Sequence, residues 1–362
     1  MEQLRIGGAP VVTLCDEAAP TASPAFVEAT VLPGRGMMLL QARLRLPSGA
    51  EVDGLFAPSL AEAASEMDGR LEDFAGNRSF AYGGALLVPF ANRIRGRARE
   101  GAREIDAVVD GAPARLPRNW GGKAPGAEQY SMHGLILDAA VPFQQPSPGV
   151  VRGRLLAGDF GGRWPSRTEL AFEWRLAAGA LTLTVEARNV GDQPLPMGIG
   201  WHPYLAISSG DRRQARLRLP ARLRAEVNNY DEVLPTGHLS DVAGGPYDFD
   251  RANGTALCDL YLDDCFTGLR REGGAVAVEV IDPAADVGLR VTSNSPEIHA
   301  VQVYAPPEKA FVVVEPQYNL ADPYSPLWPD GTRTGMARIP PGEAVTYEAR
   351  LEAFPLRNRP ST

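Results

Sequence analysis

Two ionisable residues in this chain sit where their chemistry could be put to use. His202 lies in Gly198-Ile199-Gly200-Trp201-His202-Pro203-Tyr204, at the end of a long run of β-type sequence. The glycines allow close backbone approach to a ligand, the proline interrupts a strand, and a histidine can exchange a proton near neutral pH. A bulged strand end with an incidental histidine would have the same form. Glu315 ends Phe311-Val312-Val313-Val314-Glu315-Pro316. Positions 311, 313 and 315 share one face of a strand and 312 and 314 the other. Both faces are apolar, so the strand is expected to be covered on both sides. A carboxylate at its mouth is desolvated unless paired, which raises its pKa towards a general-base value. A strand-end glutamate in a surface salt bridge is the competing reading.

Other polar groups interrupt apolar runs. Gly83 to Ile94 ends in Asn92-Arg93, an amide and a fixed fork of donors suited to ligand oxygens. Arg95, Arg97 and Arg99 continue at period two from Arg93 and read as a solvated face. His133, in Ser131-Met132-His133-Gly134-Leu135, reads as a buried histidine satisfied by backbone. Asp263 and Asp264 read as a surface turn, and the acidic spacing with Asp259 lacks the pattern of a calcium loop. Gln302 and Tyr304, two residues apart, share a strand face. His238 and His299 have no supporting context.

The elements that would position these groups are strands. Leu170, Phe172, Trp174 and Leu176 alternate with polar residues, turn at Ala177-Ala178-Gly179, and alternate again through Leu181, Leu183, Val185 and Ala187. The same period appears at 38–46, 276–280, 287–291, 298–304 and 345–351. One helix is expected after Ser59, where Glu62 completes a capping box and Gly69 stands at the stop. With 38 glycines and 32 prolines punctuating the strands, the chain reads as all-β, a large antiparallel sandwich. Residues 1–24 read as a loosely attached arm and 25–355 as one domain. A net charge of −8 argues against a nucleic-acid or anionic-membrane partner, and no apolar run is long enough to span a bilayer. The N-terminus has no secretory pattern. The three cysteines, Cys15, Cys258 and Cys265, fit a reducing compartment, so a cytoplasmic location is expected. The spacing of a structural zinc site is absent. Oligomeric state is not legible here.

In chain order, Pro89-Phe90-Ala91-Asn92-Arg93-Ile94, His133-Gly134, Gly200-Trp201-His202-Pro203-Tyr204, Asp263 to Phe266, Gln302-Val303-Tyr304 and Glu315-Pro316-Gln317 form a series. The series resembles the aldose 1-epimerase (galactose mutarotase) family from about residue 25 to 355. The resemblance implies a large twisted β-sandwich with a monosaccharide in an open cleft across one sheet. It implies His202 as general acid and Glu315 as general base, with Arg93, His133 and Asp263 binding sugar hydroxyls and Asn92 and Gln302 lining the cleft. Exchange of α and β anomers needs one base at the C1 hydroxyl and one acid at the ring oxygen, with no metal or cofactor.

Two features depart from the family. Leu135-Ile136-Leu137-Asp138 follows His-Gly where many members carry a second histidine and glycines, and Trp201 replaces a small polar residue. Both put galactose itself in doubt, and the arginine stripe leaves a phosphosugar open. A sugar-binding or sensing sandwich without turnover is the rival from another class. A glycan-cleaving enzyme would need a second carboxylate, which no motif supplies.

Overall fold

The computed structural model of the protein describes residues 4–16 and 23–356. Strands dominate, and they assemble chiefly into two antiparallel sheets, one of nine strands and one of eleven. The nine-stranded sheet contains the expected hairpin, Thr168–Ala177 and Ala180–Asn189, with Ala177 opposite Ala180. Ala178 and Gly179 both have positive φ, 50° and 73°, the pairing whose twist suits a two-residue hairpin. Strands Val276–Asp282, Val287–Ser293 and Ala344–Pro355 join this sheet.

The middle of the eleven-stranded sheet runs Leu262–Leu269, Ala300–Ala305, Phe311–Gln317, Gly200–Ala206, Gly84–Leu87, Met38–Arg45. Alternation along these strands sorts their side chains between two faces. Trp201, Leu205, Val301, Val303, Val312 and Val314 enter a continuous core shared with Val278, Val280, Leu289 and Leu351 of the other sheet. Trp174 and Trp201 meet across the layers with ring centroids 5.4 Å apart. His202, Gln302 and Glu315, one step out of phase, face away from that core. Phe311–Gln317 is buried along its whole length, as its two apolar faces predict.

The helix forms over Leu60–Glu66 with Ser59 and Glu62 making both halves of the capping box. The N-terminal arm differs from expectation. Val12–Cys15 is a strand paired with Ala25–Leu32 at the edge of the eleven-stranded sheet. Val12 and Leu14 are buried while Thr13 and Cys15 are exposed, so two apolar residues at strand spacing outweigh the surrounding prolines. Residues 1–3 and 17–22 of that arm lie outside the described residues.

A non-strand segment, Leu71–Phe80, crosses the outer face of the eleven-stranded sheet's site region. Arg35 anchors it with two parallel bonds to Asp73, 2.9 and 2.6 Å, and a third from Nε to Ser79 at 2.8 Å. Both members of this ion pair are buried, with side chains 2% and 0% exposed. Asp73 also accepts the backbone N–H groups of Gly69 and Arg78. Removing one partner leaves the other charge buried and unpaired, so Asp73→Ala is expected to lose about 3–5 kcal/mol in urea unfolding. A loss below about 1 kcal/mol, the range of surface pairs, would contradict this anchoring role.

Candidate active site

Sheet register builds the centre of the site. The pairing of Gly200 with Gln317 and Tyr204 with Val313 puts His202 across from Glu315, and Gln302 pairs directly with Glu315. Cys265 pairs with Gln302 on the next strand, and Asp263 lies two residues along the same face. His202 Nε2 stands 3.3 Å from Glu315 Oε1, with side chains 6% and 2% exposed.

Arg93 and His133 arrive from a separate small sheet, in which Arg93–Arg95 pairs with Gln129–Met132. Asn92 and His133 both have φ of 62°, and the His133 N–H donates to the Asn92 carbonyl at 2.8 Å. Left-handed backbone is tolerable for asparagine and uncommon for histidine, so neighbouring contacts must hold it. One is Gly134, where an added Cβ would stand 2.2 Å from the Val88 carbonyl oxygen. Only glycine permits that approach. Gly198 serves packing too. A Cβ there would stand 2.1 Å from Asn319 Oδ1, so its close approach is to Asn319 rather than to a ligand. Asn319 in turn bonds both the N–H and the carbonyl of Ala91.

Four side chains close a ring of hydrogen bonds. Arg93 donates to Asn92 Oδ1 at 2.7 Å, Asn92 Nδ2 to Gln302 Oε1 at 2.9 Å, and Gln302 Nε2 to Asp263 Oδ1 at 2.6 Å. Arg93 then reaches the other Asp263 oxygen at 3.4 Å. Because arginine only donates and carboxylate only accepts, the circuit fixes the orientation of both amides between them. Asn92 is fully buried, so its part is to hold Arg93 and Gln302 in place.

Burial governs the electrostatics. Desolvation pushes the Glu315 carboxyl well above the ordinary range; Asp263 adds to this and Arg93 opposes it. Desolvation lowers His202 to about 3, and the Arg93 charge pushes the same way. His133 falls well below its ordinary value through burial, then through His202 and Arg93. Burial works against the charge of Arg93, but Asp263, Tyr130 and Glu315 together raise its pKa. Both shifts favour the uncharged forms, a carboxyl on Glu315 and a neutral imidazole on His202. Among the described residues, His133 Nδ1 and Glu315 Oε2 are buried without a partner.

His133, His202 and Glu315 are also the described residues able to present three metal-ligand atoms together, all within 4.8 Å. Ligating histidines ordinarily donate their second N–H to a carboxylate or carbonyl, and among the described residues His133 Nδ1 has no such partner. The set fits proton exchange better than a metal cage.

The pair lies at the bottom of a cleft of about 630 Å³, which all seven anticipated residues line. Several outcomes differ from the sequence reading. Asp263 and Asp264 lie in a strand rather than a surface turn: Asp263 faces the cleft, and Asp264 is buried and paired with Arg224 at 2.6 Å. Asp259 pairs with Arg213 on the surface. Of the arginine stripe, Arg95 pairs with Asp322 at 2.9 Å, and Arg97 and Arg99 pair with Asp106. Trp201 is wholly buried in the core and its indole donates to Gly84, so its size does not bear on what the cleft holds. Aromatic residues around the pair were not anticipated. Phe80 lies 4.9 Å from the His133 ring, and Tyr204, 5.1 Å from His202, donates its hydroxyl to the Phe80 carbonyl at 2.8 Å. Tyr204 had a signal, being two residues from His202 on a strand, whereas Phe80 had none.

Fold and site together define a galactose mutarotase-like β-sandwich. The sequence profile of aldose 1-epimerase matches residues 47–350, and the chain belongs to that family. A galactose mutarotase-like protein from Clostridium acetobutylicum has a similar structure, with a TM-score of 0.69 at 17% identity, covering 92% of this chain and 94% of that one. An aldose epimerase homologue from C. elegans gives a TM-score of 0.69 at 16% identity, over 96% and 99% of the two chains. The uncharacterized protein YphB of Escherichia coli K12 is 31% identical over 131 residues, 36% of this chain and 39% of YphB. No described helix is long and apolar enough to cross a membrane.

The hydrogen-bond ring predicts coupling between its members. In urea unfolding, Asn92→Ala and Gln302→Ala are each expected to destabilise, and the double variant to lose less than their sum by about 0.5–3 kcal/mol. Strict additivity would contradict a direct Asn92–Gln302 bond.

Proposed function

We propose that the protein interconverts the α and β anomers of a free aldose, with Glu315 as base and His202 as acid. The observation that carries this reading is the buried, register-matched pair at 3.3 Å in a cleft lined by polar groups.

Opening the ring requires the O1 proton to pass to Glu315 as the C1–O5 bond breaks, while His202 gives its proton to O5. The step starts once the Glu315 proton has shifted across 3.3 Å to His202, and it returns the pair to the carboxyl and the neutral imidazole. Burial favours this neutral form, so the site supports the open-chain aldehyde stage rather than trapping the closed ring. Rotation about C1–C2 exposes the other carbonyl face. Closure then runs the transfers backwards: neutral His202 takes the O5 proton and the Glu315 carboxyl returns one to O1. Arg93, fixed by Asn92 and Asp263, supplies positive charge beside oxygens that gain electron density. Neutral His133 offers a hydrogen bond without adding a competing charge.

Polarimetry or NMR saturation transfer on fresh α-glucose, α-galactose, xylose and arabinose tests the activity. Exchange above the buffer rate is expected for at least one of them, and none with folded protein would refute the proposal. His202→Ala and Glu315→Gln should each lower the rate by about 10²–10⁴ with the fold retained. The pair needs one proton and is disabled by gaining a second. With His202 lowered to about 3, activity should persist as pH falls through the ordinary histidine range near ~6.5. An acid limb centred there would contradict the assignment.

A phosphosugar is the second reading, and one observation favours it. The chain has two lysines, Lys123 and Lys309, and both line the cleft. Faster exchange of glucose 6-phosphate than of glucose, lost in Lys309→Ala, would select it.

A further inference from the structure

His133 is held in a conformation that a histidine does not favour by itself. Its φ of 62° is left-handed, and Asn92, whose carbonyl accepts the His133 N–H, has the same φ. A strand cannot run on through such a residue, so the backbone groups on either side of it need other partners. On the far side the Leu135 N–H donates to the Val88 carbonyl at 2.7 Å. On the near side a single side chain supplies both partners. The Met132 N–H donates to Asn119 Oδ1 at 2.8 Å, and Asn119 Nδ2 donates to the Met132 carbonyl at 3.1 Å. Asn119 immediately precedes Trp120–Gly121, which pairs with Tyr130 and Gln129. Its side chain therefore continues the pairing where the backbone of that short strand leaves off.

An amide carries a donor and an acceptor side by side, so it can engage both backbone groups of one residue as a neighbouring strand would. The same device stands before Asn92. Asn319 Oδ1 accepts the Ala91 N–H at 3.1 Å, and Nδ2 donates to the Ala91 carbonyl at 2.8 Å. Asn92 and His133 are thus each preceded by a residue whose two backbone groups one asparagine captures. Asn119 is 7% exposed and does not line the cleft, so it acts through its neighbours. It also ties in a third element. Asn119 Nδ2 donates to Asn77 Oδ1 at 2.9 Å, and Asn77 Nδ2 donates to the Asn119 carbonyl at 2.7 Å. Asn77 belongs to Leu71–Phe80, whose Phe80 ring lies 4.9 Å from His133.

We propose that Asn119 is a positioning residue for His133, fixing the left-handed turn of its backbone and setting the imidazole against both His202 and the Phe80 wall. The inference deepens the anomerisation reading and rests on it for its effect on turnover. Without the clamp, Met132 and His133 relax towards the extended backbone that histidine prefers. A change in the sign of φ swings the side chain, and the imidazole leaves its place edge-on to His202, where the ring centroids are 4.9 Å apart. Glu315 and His202, on strands of the eleven-stranded sheet, keep their own register. What is lost is the hydrogen bond that neutral His133 offers the sugar.

The chain has four histidines, His133, His202, His238 and His299, so their ring signals are separable by NMR of protein labelled with ¹⁵N-histidine. Asn119→Ala is expected to move the His133 ring signals and to leave those of exposed His238 and half-buried His299 in place. The kcat for the aldose that wild type turns over should fall about 10²-fold, per folded molecule. In a His133→Ala background the same substitution should change kcat by less than about twofold, whereas a purely structural effect would carry over undiminished. Where the alanine variant does not fold, Asn119→Asp keeps the acceptor for the Met132 N–H and loses both donated bonds, and the His133 signals are again expected to move. Unmoved His133 signals in a folded variant, or an equal loss of kcat in both backgrounds, would overturn the positioning role and leave the catalytic reading standing. If wild type exchanges no aldose, the catalytic reading falls and the His133 signals alone decide for or against the clamp.

Discussion

The site depends on a carboxyl and an imidazole placed side by side where water scarcely reaches. In water, glutamate and histidine would each ionise near neutrality and a 3.3 Å separation would make them an ordinary ion pair. On this sheet face the cost of burying charge favours the carboxyl and the neutral imidazole. A base and an acid that differ by one short proton shift can exchange roles within a turnover, which a reversible ring opening demands. The surrounding charges limit how far that bias can go. Asp263 and Arg93 act on Glu315 in opposite directions, and both are held in the same hydrogen-bond ring.

Rigidity comes from the scaffold. His202, Gln302 and Glu315 lie on adjacent strands whose opposite faces enter the core, so a shift of any one would disturb packing on both sides of the sheet. Arg93 and His133 lack that support and are held instead by left-handed backbone, by Gly134 and by Asn319. Phe80 reaches the pair from a segment that owes its position to the buried Arg35–Asp73 bond. That two-ended ion pair thus places an aromatic wall against both histidines.

What could be read from the sequence follows from which forces are local. Alternation exposed the hairpin at 168–189 and the doubly covered strand at 311–317, because a strand's period is fixed by backbone geometry. The capping box at Ser59 and Glu62 was legible for the same reason. The chain of motifs brought Arg93, His133 and Asp263 to the same cleft, although Asp263 alone read as a turn. The closed ring through Asn92 and Gln302 was not legible, since its members are as much as 210 positions apart and the bonds exist only after the sheets form. Nor were Phe80 and the rings of Phe56, Tyr230 and Tyr261, which share no periodic signal. Trp201 shows the opposite failure: a departure from the family motif drew attention, yet it points into the core.

In the proposed mechanism each turnover starts from a protonated Glu315 beside a neutral His202. Infrared difference spectroscopy of the protein at neutral pH, comparing wild type with Glu315→Gln, reads it directly. The account predicts a carboxylic-acid C=O band in the wild type that disappears in the variant. Loss of a carboxylate band instead, with no carboxylic-acid band lost, would show that Glu315 rests ionised and would contradict it.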